Sequence, residues 1–468
     1  MYQYKTEPFK HQRQALIEGA KQKNFAYFME MGTGKTKVAI DNAIWLYKLQ
    51  HIDYIFVIAP NSVYTNWIDE INIHCPIDTN KFVWKVDTEK KFKMDSTKPT
   101  FVLMNVEALS HKSGQRWLEE KLNKHGMRSL VIVDESTTIK NLRASRTKAI
   151  IKLGQLARFK RILTGSPITK SPLDLFSQCA FLDKGLLGYN NFTVFRSRYA
   201  VMHNIEMSGY KIQIPKYYIN LEELEFKIKS FSYRVRKKDC LDLPEKMYVQ
   251  RYIDLTEEQR KIYNDLKRKA LAIVHDETIS YTNKLTELLK LHQITCGFYK
   301  TDEGNIVPFK NNPKLKELLS ILEETEDKCI IWANYVYNIE MIKKKLGEVY
   351  GKDSVVSLYG KDSVKVRNSS VKNFQHNDRC RFLVGNPTVG GYGLTLTAAK
   401  YVIYFSNSYN LEVRQQSEDR AHRIGQTSQV TYVDLLVKNS IDQMILGSLE
   451  GKIKISAQTL GEEVQKWL

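Results

Sequence analysis

The sequence contains no paired cysteines. Cys75, Cys179, Cys240, Cys296, Cys329 and Cys380 are scattered along 468 residues with no C-x-x-C spacing. That argues against a zinc site or a disulfide framework and fits a reducing compartment. Long apolar runs are also missing. The longest, such as YIFVIAP and LVIVD, have the length of strands and fall far short of a bilayer span. The first residues, MYQYKTEPFKHQ, lack the apolar core of a signal peptide. These absences predict a cytoplasmic protein with no membrane partner. No internal repeat or low-complexity tract stands out.

Acidic residues are scarce relative to basic ones. Lys and Arg total 71 against 52 Asp and Glu, a formal charge of +19. Such an excess favours a polyanionic partner, although a solvated basic surface would give the same count. With 43% hydrophobic and 11% aromatic residues the chain has the composition of a packed globular protein. It is too long for one ordinary core, so about two to four domains are expected.

From about residue 24 to 175, short β-rich runs alternate with longer amphipathic segments. NFAYFME, YIFVIAP, TFVLMNV, SLVIVDE and FKRILTG read as buried strands, each ending in small, polar or acidic residues. That alternation predicts a parallel α/β sheet, with ligands at the carboxyl ends of the strands. Residues 176–310 have another texture, helix-rich and basic. Ile262, Leu266, Ala270 and Ile273 make one helical stripe there, and Leu285, Leu288, Leu289 and His292 another. Both stripes read as core, and His292 is given no site. Strand alternation returns in KCIIWAN, SVVSLYG, RFLVGNP, YVIYFSN and VTYVDLLV. The expected division is an α/β lobe over 1–175, a helical, basic insert and linker over 176–310, and a second α/β lobe over 311–468.

The stretch MEMGTGKTKVAI lies where a strand gives way to a helical pattern. Glycine-rich backbone at a helix N-terminus points its N–H groups at anions. Gly32, Thr33 and Gly34 would cradle phosphates, Lys35 would neutralise the β and γ phosphates, and Thr36 would place its hydroxyl on Mg²⁺. The strict pattern asks for glycine at position 29, where Met29 stands, so a simple glycine-rich turn is the competing reading. SLVIVDEST supplies a second element: a buried strand ending in Asp134, suited to hold Mg²⁺, and Glu135, suited to polarise the attacking water. The two elements in one sheet support each other as an ATP site.

In order along the chain, these motifs resemble those of the superfamily 2 helicases, and within them the Swi/Snf-like DNA translocases. FKHQRQAL resembles the upstream glutamine motif, MGTGKT motif I, VIAPNSVYTNWIDEI motif Ia, VLMNVEAL motif Ib, VIVDEST motif II and ILTGSPITKSPLDLF motif III. KCIIWANYVYNIEMI, FLVGNPTVGGYGLTLTAAKYVIYFSNSYN and RQQSEDRAHRIGQTSQVTYVDLLV are similar to motifs IV, V and VI. Thr395 stands where the family more often has Asn, and Ser136-Thr137 where it usually has Ala-His. The resemblance implies that Gln12 reads adenine and that Pro60, Asn61, Ser62, Thr388, Gly390 and Gly391 touch a nucleic-acid backbone. The basic segment KIKSFSYRVRKKDCLDLPEK resembles the family's inter-lobe link. Its Arg234, Arg236, Lys237 and Lys238 would either track phosphates or form a solvated linker. Gln416, Arg420 and Arg423 fall at i, i+4 and i+7, which predicts one face of a helix. Gln416 would face the nucleotide, with Arg423, or else Arg420, as the arginine finger on the γ-phosphate.

The implied fold is a pair of RecA-like parallel-sheet lobes, and the implied function an ATP-dependent motor that translocates along DNA, duplex DNA foremost, with ATP and Mg²⁺ as cofactors. It would act as a monomer beside bacterial or phage replication, repair or recombination proteins. Two alternatives remain: a strand-separating DNA or RNA helicase on the same engine, and a nucleotide-gated binding module without turnover.

Overall fold

The computed structural model describes residues 2–60, 64–89, 92, 97–207, 210–275, 281–301, 303–389 and 394–462. The chain divides into two compact units. The first comprises Met1–Tyr199, Tyr218–Asp242 and Ile455–Glu463, and the second Ala200–Tyr217, Leu243–Lys454 and Val464–Leu468.

In the first unit β1 (Asn24–Met29), β2 (Tyr54–Ala59), β3 (Asn80–Val83), β4 (Thr100–Asn105), β5 (Ser129–Asp134) and β6 (Phe159–Leu163) join one sheet. The chain then leaves this unit for β7 (Ala200–Met207) and β8 (Tyr210–Tyr218), which pair with each other and, up to Tyr217, belong to the second unit. β9 (Ser232–Val235) returns to the large sheet. The order is β3-β4-β2-β5-β6-β1-β9, and every neighbouring pair is parallel. Every residue of β2 and β5 is buried, as unbroken runs of Ile, Val and Phe require when helices cover both faces. Because the strands are parallel, the segments after β1, β5 and β6 emerge at one edge.

The second unit holds β10 (Lys246–Ile253), the small antiparallel pair β11 (Phe298–Lys300) and β12 (Ile306–Pro308), and then β13 (Cys329–Trp332), β14 (Val355–Leu358), β15 (Phe382–Gly385), β16 (Tyr401–Tyr404) and β17 (Val430–Val437). Its six-stranded sheet runs β10-β17-β16-β13-β15-β14, again with parallel neighbours throughout. All ten strands expected from apolar runs are present, and the α/β class with two parallel sheets holds.

The division along the chain differs from the three-segment expectation. Residues 176–310 make no body of their own, because two strands in that stretch are claimed by different sheets. β9 pairs with β1 (Phe28 opposite Arg234, Met29 opposite Val235), and β10 pairs with β17. The basic charge of SYRVRKK concealed a strand at a sheet edge, where Arg and Lys discourage further pairing. The helix Glu257–His275 forms where the first stripe predicts it, and Tyr281–Thr295 carries the second. Among the described residues no helix is long and apolar enough to cross a membrane.

Candidate nucleotide site

The glycine-rich loop expected to hold phosphates follows β1. Gly32 and Gly34 have φ of +82° and +88°, the left-handed region that favours glycine. Thr33 closes the turn, its N–H and Oγ1 donating to the Glu30 carbonyl at 3.2 and 2.8 Å. The helix Lys35–Lys48 then starts, with Gly34 as its N-cap. A Cβ at Gly34 would also run into the Gln12 amide. Met29 is fully buried as the last residue of β1 and does not line the turn, so its side chain belongs to the core.

Gln12 lies against the loop. Its Oε1 accepts the Phe9 N–H at 3.0 Å, and its Nε2 donates to the Thr33 carbonyl at 3.1 Å; a His11 ring nitrogen lies 2.8 Å from the same carbonyl. The helix carrying Gln12, Lys10–Ala20, is fastened by Arg161 of β6. That buried guanidinium donates to the Gly19, Gln22 and Lys23 carbonyls and to Asn42 Oδ1. The end of this helix, the turn leading into β1, the helix Lys35–Lys48 and β6 are thus joined around one fully satisfied cation.

Two strands from β1 across the same edge, β5 ends in the acid pair. Lys35 Nζ stands 3.7 Å from Glu135 Oε1, with both side chains largely buried. Asp134 Oδ1 accepts the Glu135 N–H at 2.9 Å, and Oδ2 accepts the Trp67 indole N–H at 2.8 Å. Burial pushes the Asp134 carboxyl above its ordinary range, against the pull of Lys35 and Trp67. Glu135 has φ +47° and ψ +62°, a left-handed conformation costly for a residue with a Cβ. Thr164, just past β6, places Oγ1 3.5 Å from Glu135 Oε2. Trp67 and Thr164 fall inside the stretches similar to motifs Ia and III, but neither is singled out there, because their roles depend on tertiary contacts.

An oxygen-only set of one carboxylate, Asp134, and the half-buried Thr36 hydroxyl at the first helical turn suits Mg²⁺. That ion keeps several waters and is shared between one or two carboxylates and substrate phosphates. The raised carboxyl of Asp134 fits the same conclusion, since a buried carboxylate gains most from added positive charge.

In the second unit the motif VI geometry departs from expectation. The helix Leu411–Glu418 carries Gln416 but ends before Arg420 and Arg423, so the three do not share one helical face. The turn that follows is fastened to the 396–399 segment. Gln426 Nε2 donates to the Thr397, Ala399 and Ala421 carbonyls, and the Arg420 carbonyl accepts the Leu396 N–H at 2.9 Å. Gly425, at φ +97°, permits the bend. Arg420 is 2% exposed, whereas Arg423 is half-buried with Nη1 3.2 Å from the Leu394 carbonyl. Gln416 Nε2 reaches Glu412 Oε1 at 3.4 Å.

Beneath this turn lies a buried ionic cluster that sequence reasoning missed. Arg414 donates to both oxygens of Asp434, at 2.5 and 3.0 Å, and to Glu418 at 2.8 Å. Glu418 also accepts from Lys246 at 3.0 Å and from the Tyr248 hydroxyl at 2.8 Å. Burial raises the Glu418 carboxyl, but Lys246 and Arg414 outweigh it and hold it below its ordinary value.

Of the nucleic-acid candidates, Pro60 is buried at the carboxyl end of β2, and Thr388 is exposed after β15, its N–H donating to Asn386 Oδ1 at 2.9 Å. Asn61, Ser62, Gly390 and Gly391 lie outside the described residues. The basic residues of the expected linker are largely engaged. Arg234 donates to the Phe28 and Gly165 carbonyls and pairs with Glu30 and Glu462. Arg236 pairs with Asp239, and Lys237 is buried, its N–H donating to Glu30 Oε2 at 2.8 Å.

The SNF2-related domain family matches residues 18–299, and the helicase conserved C-terminal domain matches residues 311–425. An uncharacterised ATP-dependent helicase of Mycoplasma genitalium, MG018, is 29% identical across 93% of this chain and 40% of its own length. The putative ATP-dependent helicase/translocase YwqA of Bacillus subtilis is 27% identical across 93% of this chain and 46% of its own. The chain therefore spans less than half the length of these curated relatives. Among solved structures, the Sulfolobus solfataricus SWI2/SNF2 ATPase core in complex with dsDNA aligns with 95% of this chain and 91% of that one, at 26% identity and a TM-score of 0.46. With the SNF2-related match extending over more than half of its residues, the chain belongs to the SNF2-related family.

Proposed function

We propose that the chain is an ATP-driven motor that moves along duplex DNA. The observation that carries this reading is the convergence of the phosphate loop and the acid pair at one edge of one parallel sheet, with Lys35 Nζ 3.7 Å from Glu135 Oε1. In it Gly32, Thr33, Gly34 and Lys35 hold the phosphates of ATP, Gln12 recognises the base, Thr36 and Asp134 hold Mg²⁺, and Glu135 orients the attacking water. Bound Mg²⁺ would neutralise charge on the β and γ phosphates. Gln416, Arg420 and Arg423 remain candidates for nucleotide contact and turnover, and Pro60, Asn61, Ser62, Thr388, Gly390 and Gly391 for the DNA backbone. Membership of the SNF2-related family and relatives named as ATP-dependent helicases support the same reading. The formal charge of +19 suits a phosphate partner bound without regard to sequence, with affinity that falls as salt rises.

The deciding experiment measures ATP hydrolysis with no nucleic acid, single-stranded DNA, duplex DNA and RNA in parallel. The reading expects the largest stimulation by duplex DNA; strongest stimulation by RNA, or none by any polymer, overturns it. Triplex displacement without strand displacement would separate a translocase from an unwinding helicase. Light scattering over a concentration series checks the proposed monomer.

A further inference from the structure

β9, β1 and β6 are parallel neighbours in the first sheet, so three strands end side by side at the edge that carries the candidate nucleotide site. Arg234, on β9, reaches across β1. Its Nη1 donates to the Phe28 carbonyl at 3.3 Å and to the Gly165 carbonyl, just past β6, at 2.7 Å. Strands in a sheet lie about 4.8 Å apart, so the contacts of this side chain bridge roughly two such spacings. Its Nη2 stands 3.4 Å from Glu30 Oε1, and its Nε donates to Glu462 Oε1 at 2.5 Å. Only a forked, multiply donating cation can serve four acceptors set apart in this way.

Glu30 is the residue from which the glycine-rich loop hangs. Its carbonyl accepts the Thr33 N–H and hydroxyl, its N–H donates to the Val235 carbonyl at 3.0 Å, and its Oε2 accepts the Lys237 N–H at 2.8 Å. Gly165 packs directly against this point. A Cβ there would stand 3.1 Å from the Met31 nitrogen and 3.2 Å from Glu30 Cα. Gly165 also follows Thr164, whose hydroxyl lies 3.5 Å from Glu135 Oε2. One guanidinium therefore holds the base of the loop that leads to Lys35 and the neighbour of the residue that meets Glu135.

We infer that Arg234 is a positioning residue for hydrolysis, which keeps the loop after β1 and the turn after β6 in register and so fixes the spacing of Lys35 and Glu135. This rests on the roles proposed above for those two residues. Arg234 acts through Glu30 and Gly165, not on the reacting atoms. The glycine-rich loop keeps its own turn, from Thr33 to Glu30, without it, so nucleotide affinity is set locally. Turnover instead needs two separate loops placed correctly against each other.

The test uses the full chain with duplex DNA present and reads kcat for ATP hydrolysis, the Kd of a fluorescent ATP analogue, and the melting temperature. Arg234→Met should lower kcat by about 10–100-fold, the order that follows a misplacement of about 1 Å, while Kd moves by less than about threefold. Arg234→Lys keeps a charge beside Glu30 and Glu462, but its single nitrogen cannot also hold both carbonyls. It should recover the melting temperature and leave kcat low. Glu462→Gln spares both carbonyl contacts and should stay within about twofold of the wild-type kcat. A rise in Kd that matches the fall in kcat overturns the inference, because the loop itself would then have been lost. Recovery of kcat together with melting temperature in Arg234→Lys overturns it too, as the mark of a merely structural role. So does a Glu462→Gln protein as slow as Arg234→Met, which would assign the effect to the Ile455–Glu463 segment. If Arg234→Met does not fold, Arg234→Lys decides: folded and slow supports the inference, folded and fast overturns it. A wild type that does not hydrolyse ATP overturns the functional reading and this inference with it; an active wild type whose Arg234→Met variant keeps its kcat overturns the inference alone.

Discussion

The indole N–H of Trp67 donates to Oδ2 of Asp134 at 2.8 Å, joining the helix Tyr64–His74 to the tip of β5. Trp67 is fully buried, so the donor has no water to exchange with. It leaves the Oδ1 side of the carboxylate to the Glu135 N–H and fixes the rotamer of the proposed Mg²⁺ ligand. Trp67→Phe keeps an aromatic ring and removes that donor, leaving the volume between indole and phenyl as a cavity whose stability cost a melting curve reads separately. Partners of this kind typically change metal affinity or activity by about 10–100-fold when lost. We therefore expect the Mg²⁺ concentration for half-maximal ATP hydrolysis to rise by about tenfold. Hydrolysis measured across a Mg²⁺ series checks this; an unchanged Mg²⁺ requirement would remove Trp67 from the site.

Glu135 stands within reach of both Lys35 and Thr164 and is buried between them. Glu135→Gln keeps the shape and removes the charge that would orient and accept a proton from water. Turnover should drop by roughly 10²–10⁴ while nucleotide binding persists, because the phosphate loop is untouched. Fluorescent-nucleotide titration beside steady-state hydrolysis separates the two. If phosphate release stays at the wild-type rate, the chain is a binding module or another group is the base.

The four-residue β3 was too short and too polar to stand out, while ten of the thirteen strands of the two sheets were legible as largely apolar runs. β9 and β10 were not, since their pairing partners lie far away and their Lys and Arg residues suggested a solvated linker. The candidate nucleotide-site residues were named from short motifs, yet the contacts that hold them were not visible there. Trp67 and Asp134 are 67 residues apart, and their bond exists only after β2 and β5 pair. The helix expected through Arg420 and Arg423 fails for a related reason. Spacing predicts a continuous face, but the helix ends at Glu418, and the turn beyond it is tied by Gln426 to carbonyls from three separate residues. The Ala-His step that the family usually carries is Ser136-Thr137 here, and the polar connection present at this turn runs through Ser136 to Gln178.

Arg414 and Asp434 form a two-pronged buried pair, both side chains at most 5% exposed. Removing one partner strands the other charge, which typically costs about 3–5 kcal/mol. Arg414→Met should destabilise the chain by that order, and it also leaves the Glu418 carboxylate to Lys246 and Tyr248. Arg414→Met/Asp434→Leu should recover part of the loss, because no unpaired charge remains at Asp434. Urea unfolding of the three proteins checks the order; a double variant less stable than Arg414→Met would show that the pair is not an independent unit.

His292 is buried in the second unit, with Nδ1 2.9 Å from the Tyr335 hydroxyl and Nε2 3.8 Å from Asp442 Oδ1. Burial pulls its pKa down to about 4, opposed by Asp442 and reinforced by Lys314, which pairs with Asp442 at 2.6 Å. The unfolded imidazole titrates near 6.5, so between these values the unfolded chain holds a proton that the folded chain does not. Stability from this residue is therefore fully present above the unfolded pKa and is lost as pH falls toward the folded one. The loss reaches about 3 kcal/mol at the acid end by linkage, an order-of-magnitude figure. His292→Asn, which keeps a polar atom near Tyr335 but cannot titrate there, should flatten the fall in unfolding midpoint between pH 6.5 and pH 4. Equal slopes for the two proteins would mean that His292 becomes protonated without unfolding, through a rearrangement around Asp442 that takes up the charge.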